Sequence, residues 1–281
     1  MDKEMSYGED YRFLPFTSIK NGTGLEVGPD LFCETVQIVN VVFIGKPGGE
    51  WVLADAGMPQ SAAQIRAACQ RRFGENAKPQ GIVLTHGHFD HVGAIVELLD
   101  EWDVPVYAHE LEMPFLTGRQ SYPPPDPAVE GGLVAKLSSL FPVEPVNLGT
   151  RVENLPMDGS IPVLPEWRWI HTPGHTPGHI SLFRERDRAL VAGDAFVTVR
   201  QDSLLNVFTQ QPDMSGPPRY LTTDWEAARQ SVRKLRDLQP QSAIAGHGMP
   251  MEGERLAESL RKLAEEFDSV AVPDYGKYVK H

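Results

Sequence analysis

"THGHFDHVG", residues 85–93, places three histidines and an aspartate within six positions, directly after the apolar run Gly81-Ile82-Val83-Leu84. Residues two apart in an extended chain point to the same side, so His86 and His88 can grip one ion. Where the chain turns into the helical pattern that begins at Val92, Asp90 and His91 can be presented to a second ion. Imidazole and carboxylate donors without cysteine favour zinc, with iron or manganese as alternatives. Four donors are too few for two ions, so further ligands are expected elsewhere.

Three other stretches supply them. "HTPGHTPGH", residues 171–179, follows the apolar run Trp167–Ile170; "LVAGDA", 190–195, puts Asp194 beyond another such run; "AIAGHG", 243–248, puts His247 beyond a third. Each is a short strand ending in a glycine-containing turn that offers a donor. Strand-end loops are where α/β proteins build sites. Five of the nine histidines are candidate donors at these strand ends, which chance scatter does not produce.

The surrounding pattern is that of one α/β domain spanning 1–281. Strands are expected at Thr35–Ile44, Trp51–Ala54, Gly81–Thr85, Val104–Ala108, Trp167–Ile170, Ala189–Ala192 and Ser242–Ala245. Helical spacing covers Gln60–Phe73, Val92–Glu101, Leu133–Phe141, Asp224–Leu238 and Glu254–Phe267, with Asp224 as an N-cap. Two segments read as irregular: Met113–Pro145, with seven prolines, and Val197–Thr223. Long irregular segments in a compact domain are usually functional, so both are expected to be lids. Their apolar side chains (Phe115, Tyr122, Phe141, Leu204, Leu205, Phe208 and Tyr220) suit a pocket for a small apolar substrate. A homodimer interface would use the same residue types.

These four motifs resemble those of the metallo-β-lactamase-fold hydrolases, over Asp55 to His247. The resemblance implies an α/β fold of the αββα sandwich type, two mixed sheets flanked by helices, with two metal ions per chain at one edge. It implies that His86, His88 and His175 bind the first ion, that Asp90, His91 and His247 bind the second, and that Asp194 bridges them. Asp55, in "LADAG", resembles the family's strand-end aspartate that holds a ligand imidazole from behind. His171 and His179 flank His175 and are read as supporting residues rather than ligands. The stretch His109–Pro127, "HELEMPFLTGRQSYPPPDP", resembles a group of bacterial members of the same family.

Two zinc ions would acidify a shared water and polarise a carbonyl oxygen, which makes a metal-bridging hydroxide the nucleophile. Asp90, a carboxylate facing that water, is the expected proton carrier. The reaction so implied is hydrolysis of an ester or lactone. "TPGHTPGH" resembles quorum-quenching lactonases and glyoxalase-II-like thioesterases alike, and Val197 stands where the lactonases carry a tyrosine. A β-lactamase-like amide hydrolase and a mononuclear-iron persulfide dioxygenase complete the alternatives.

The bulk numbers agree with a small-molecule enzyme. A chain of 281 residues, 41% apolar and 23% charged, has enough apolar side chains for a core. A formal charge of −12 disfavours nucleic acid and anionic membrane as partners. The polar stretch Met1–Asp10 has no signal-peptide core, so the expected location is cytoplasmic. Cys33 and Cys69 are expected to be free, buried thiols.

Overall fold

Trp51 to Ala54 are all buried, as are Ile82, Val83 and the triplet Val106–Ala108. Strands apolar on both faces are typical of parallel pairing beneath covering layers, and these three runs do pair in parallel. The computed structural model describes residues 5–130, 132–200, 204–210 and 212–279, and the chain divides into two compact units. The first comprises 1–122 and 142–165; the second comprises 123–141 and 166–281. Both are α/β units built on a mixed sheet with accompanying helices.

Among the described residues, the first unit carries a seven-stranded sheet in sequential order. Its strands are β1 (Gly24–Gly28), β2 (Leu31–Val36), β3 (Val39–Gly45), β4 (Trp51–Ala54), β5 (Ile82–Val83), β6 (Val106–Ala108) and β7 (Val152–Asn154). β1 to β4 form an antiparallel meander, and β4 to β7 run parallel. The helices are α1 (Ala62–Phe73), α2 (Ile95–Trp102) and the short α3 (Met113–Leu116). α1 buries Ile65, Ala68, Cys69 and Phe73, and α2 buries Ile95, Leu98, Leu99 and Trp102, each on one helical face. Trp51 ties strand to helices: its ring stacks on Phe73 at 4.5 Å and meets Trp102 edge-on at 5.7 Å.

Two boundaries differ from expectation. Thr35–Ile44 is not one strand but the two arms of a hairpin, pairing Val36 with Val39 across Gln37-Ile38. Gln37 takes φ +59°, as mirror-image hairpin turns require, and Asn21 Oδ1 accepts its amide hydrogen at 2.7 Å. Neither turn residue is the usual glycine or asparagine, so the turn is silent in the sequence. α2 starts at Ile95 rather than Val92; Gly93 and Ala94, just before it, donate to the carbonyls of Gly57 and Ala56 and tie the loop to the turn after β4.

The second unit carries a five-stranded sheet in the order β14-β13-β10-β9-β8. These are β8 (Arg168–His171), β9 (Ile180–Arg184), β10 (Ala189–Gly193), β13 (Ser242–Ala245) and β14 (Met251–Glu252). Only the β10–β13 pair is parallel. A separate ribbon joins β11 (Val197–Val199) to β12 (Pro212–Ser215), with α5 (Leu204–Thr209) between them. Among its described residues the segment Val197–Thr223 therefore contains two short strands and a helix that its irregular reading did not anticipate; the strands are too short to show a period. Leu133–Phe141 is α4 (Gly132–Leu137) followed by a 3₁₀ turn, Ser138–Leu140.

α6 (Trp225–Asp237), α7 (Gly253–Glu265) and α8 (Phe267–Val270) complete the unit. Asp224 caps α6 as expected, its Oδ1 accepting from Ala227 N at 3.0 Å. Trp225, Val232 and Leu235 of α6 join Leu256 and Leu260 of α7 with Phe183 and Leu190 of the sheet in one buried cluster. Among the described residues no helix is long and apolar enough to cross a membrane.

Both cysteines are free and buried. Burial pushes both thiols up, Cys69 to about 11, and the neighbouring carboxylates Glu34 and Glu101 add to the effect. The thiolate is the reactive form, so neither cysteine should react with a disulfide reagent at pH 8 in the folded chain, and both should react on unfolding in denaturant; a spectrophotometric thiol count checks this.

Candidate metal centre

In the first unit the site grows from the ends of β4 and β5. Asp55 follows β4 directly, in the left-handed region at φ +62°. That turn brings its carboxylate to the start of the ligand loop: Oδ1 accepts from Thr85 N at 2.7 Å, and Oδ2 accepts from Thr85 Oγ1 at 2.8 Å. Oδ2 also lies 2.8 Å from His91 Nδ1. A carboxylate here can only accept, so His91 carries its proton on Nδ1 and its lone pair on Nε2. The Thr85 hydroxyl has spent its one proton on Asp55. His86 Nδ1, 3.1 Å from that hydroxyl, must therefore donate to it, which sets His86 to the same tautomer.

His86, His88, Asp90 and His91 are all buried. Ligand atoms of His86 lie within 4.8 Å of those of His88 and of His91, and an Asp90 oxygen lies equally near His91. The loop is folded tightly to achieve this. His91 N and Val92 N both donate to His88 O, and a Cβ on Gly93 would stand 2.2 Å from Pro59 N and 2.3 Å from Met58 C. Only glycine fits there.

In the second unit the loop after β8 carries His175. Gly174, at φ +133°, lies so close to α6 that a Cβ would meet Ala228 N at 2.4 Å, and its carbonyl accepts from Thr223 N and Asp224 N. His175 Nδ1 lies 3.1 Å from Thr222 Oγ1, which donates to Pro218 O at 2.8 Å. The hydroxyl's proton is again committed, so His175 donates from Nδ1 and keeps its lone pair on Nε2. That Nε2 lies 3.5 Å from Asp194 Oδ2, and His247 Nε2 lies 3.4 Å from the same oxygen.

His179 is employed differently. Its Nε2 accepts from Asp194 N at 2.8 Å. Its Nδ1 faces Thr172 Oγ1, and the relay runs on through Ser181 Oγ to Ala192 O. His179 thus fixes the backbone of Asp194, and its lone pair is used in doing so. His171 Nε2 lies 2.8 Å from Pro177 O, which places it within the loop's own framework.

The donors fit metal ions. Two atoms each about 2.1 Å from one tetrahedral ion lie about 3.4 Å apart, the spacing found at Asp194 Oδ2. Three imidazoles are locked by hydroxyl or carboxylate partners with Nε2 as the donor atom. The seven His and Asp donors have the number and chemistry that a pair of metal ions requires.

The expected pocket residues divide. Tyr122 packs its ring on His88 at 4.4 Å and stacks on Phe115 at 4.0 Å. Its phenol lies well above its ordinary pKa, through burial first and then through the charge of Glu112, to which it donates. Phe141 and Tyr220 meet each other edge-on at 5.5 Å in the second unit. Phe208 is half exposed, and the side chains of Leu204 and Leu205 lie outside the described residues. Thr85, Glu112, Thr172 and Thr222 brace these loops, a role that the sequence reading assigned to none of them.

The Metallo-beta-lactamase superfamily profile matches residues 35–247. A probable metallo-hydrolase of Bacillus subtilis strain 168, YflN, is 50% identical over 260 residues, covering 92% of this chain and 98% of its own. Among solved structures, a di-iron-bound form of TTHA1623 is 26% identical with a TM-score of 0.54, over 84% of this chain and 96% of its own. BJP-1, a subclass B3 metallo-β-lactamase of Bradyrhizobium japonicum, is 18% identical with a TM-score of 0.59, over 90% and 94%. At that identity the likeness is one of fold. The chain belongs to the metallo-β-lactamase superfamily. It is a metallo-hydrolase of that fold with a candidate His/Asp metal centre.

Two variants probe the framework. Asparagine tolerates the left-handed backbone of Asp55, so Asp55→Asn keeps the turn while removing the charge; metal affinity, read by chelator competition, should fall by about 10–100-fold. Gly93→Ala forces backbone apart and should lower unfolding stability by about 1–3 kcal/mol in a urea titration.

Proposed function

We propose that this protein is a dinuclear zinc hydrolase that cleaves an ester or lactone bond in a small, mostly apolar substrate. The observation that carries the reading is the Asp194 carboxylate, with one oxygen 3.5 and 3.4 Å from the Nε2 atoms of His175 and His247. A carboxylate between two ligand imidazoles is suited to bridge. Following the family resemblance, His86, His88 and His175 would hold one ion, Asp90, His91 and His247 the other, and Asp194 both. Zinc is preferred because the donors are imidazole and carboxylate. When bound, such a pair lowers the pKa of water toward neutrality and polarises a carbonyl oxygen.

The chain's own residues then have distinct tasks. Asp90, buried beside His91, moves the proton between the attacking water and the leaving group. Asp55, Thr85 and Thr222 keep the imidazoles in one tautomer, so that no reorganisation accompanies the reaction. Phe141, Phe208 and Tyr220, with Leu204 and Leu205, are assigned to the acyl side of the substrate, where apolar surface gives affinity without directing the chemistry. The YflN likeness supports hydrolysis and leaves the scissile bond to be tested.

Metal analysis should find two zinc ions per chain, and a panel of esters, lactones, thioesters and cephalosporins should show turnover on the first two classes. One iron per chain, with oxygen consumed on a persulfide, would instead identify a dioxygenase. Asp90→Asn should lower kcat by about 10²–10⁴-fold while most of the metal remains, since an amide oxygen still coordinates but carries no proton. Asp194→Ala should release both ions. Full turnover by Asp90→Asn would remove the proton-carrier role.

A further inference from the structure

The stretch His109–Pro127 contributes no metal ligand, yet it sends two polar side chains into the ligand loop. Glu112 is fully buried at the end of a 3₁₀ turn that His109 initiates, Leu111 N donating to His109 Nδ1 and Glu112 N to His109 O. Glu112 Oε2 accepts from Gly87 N at 3.0 Å. Tyr122 OH also accepts from Gly87 N, at 2.9 Å, and itself donates to the same Glu112 oxygen. Gly87 is the residue between His86 and His88.

Side chains pack closely around that peptide. A Cβ on Gly87 would stand 2.7 Å from Tyr122 OH and 2.9 Å from Leu116 Cδ2. The Tyr122 ring packs on His88, with Phe115 stacked behind it at 12° between planes. The rings of His86 and His88 meet edge-on with centroids 4.7 Å apart. Pinning the amide between them therefore fixes the bite of the pair. A buried carboxylate is a costly way to fill space, and apolar side chains pack as well without the desolvation penalty. Its presence here, fully buried, calls for a task that needs a strong acceptor.

We infer that Glu112 and Tyr122 are positioning residues for the His86–His88 pair: together they bind the Gly87 amide and set the distance and angle at which the two imidazoles meet a metal ion. The inference rests on the metal reading proposed above, and it gives Phe115 and Tyr122 a task as a wall behind His88 rather than as a substrate surface. Both side chains accept from Gly87 N; Tyr122 adds the ring contact, and Glu112 also holds the phenol in place. Because both act through Gly87 and His88, their removal should alter metal geometry before it alters folding.

Cobalt(II) added to the metal-free full chain tests this, because its visible bands report ligand geometry independently of any substrate. Tyr122→Phe keeps the ring and loses the hydroxyl, and Glu112→Gln keeps the shape and loses the charge. Each should weaken cobalt binding about tenfold and shift the bands, with the thermal midpoint of the metal-free chain near that of the parent. Glu112→Ala should weaken binding more than Glu112→Gln, whose amide oxygen still accepts from Gly87. If the parent binds two cobalt ions and all three variants match its affinity and spectrum, the inference is overturned and the pair serves packing alone. A parent that takes up no cobalt overturns the metal reading and this inference with it.

Discussion

The carboxylate of Asp55 accepts three hydrogen bonds, from Thr85 N, Thr85 Oγ1 and His91 Nδ1, and the geometry of the first unit's ligand loop depends on it. Its position is dictated by the strand before it. β4 is buried on both faces and is followed directly by Asp55 at φ +62°, which turns the chain so that its short side chain reaches the end of β5. The charge is buried, which would be costly alone, but all three donors are directed at it. Through Thr85 it also dictates the protonation of His86. A single carboxylate thus sets the tautomer of two imidazoles, one by contact and one through a hydroxyl.

The same device recurs in the second unit without a carboxylate. Thr222 donates to Pro218 O and receives from His175, and Thr172 receives from His179 in a relay that ends at Ala192 O. In each case a hydroxyl whose proton is committed to an oxygen forces a histidine to donate from Nδ1. The outcomes differ because the other nitrogen differs. His175 Nε2 faces the Asp194 carboxylate, whereas His179 Nε2 accepts the Asp194 amide hydrogen. Two histidines of one short loop therefore differ in what Nε2 does: His175 turns it toward the Asp194 carboxylate as a candidate metal donor, and His179 uses it to brace the Asp194 backbone.

Close backbone approach is the second requirement. Gly93 lies against Met58 and Pro59, and Gly174 lies against Ala228. Both glycines lie within two positions of a candidate ligand, His91 or His175, and both allow a loop to fold onto neighbouring backbone without a side chain between. The helices start where these contacts end: α2 begins just past Gly93 and Ala94, which donate to residues 57 and 56, and α6 is capped by Asp224, whose amide donates to Gly174 O.

Much of the candidate site was legible in the sequence because metal chemistry restricts residue type. Histidine and aspartate at the ends of apolar runs stand out against any background, and the N-cap at Asp224 has a local cause. What the sequence determined by itself was the candidate donor set, the strand ends that carry it and the amphipathic helices, all of them matters of neighbours within a few positions. The turn at Gln37, the ribbon of β11 and β12, the holding hydroxyls of Thr85 and Thr222, and the Glu112–Tyr122 pair were decided by tertiary structure. Threonine and glutamate are common everywhere, and their meaning here depends on partners as distant in sequence as Thr222 is from His175, 47 positions. Hydrogen-bond direction, and with it the tautomer of each imidazole, exists only once those partners have met.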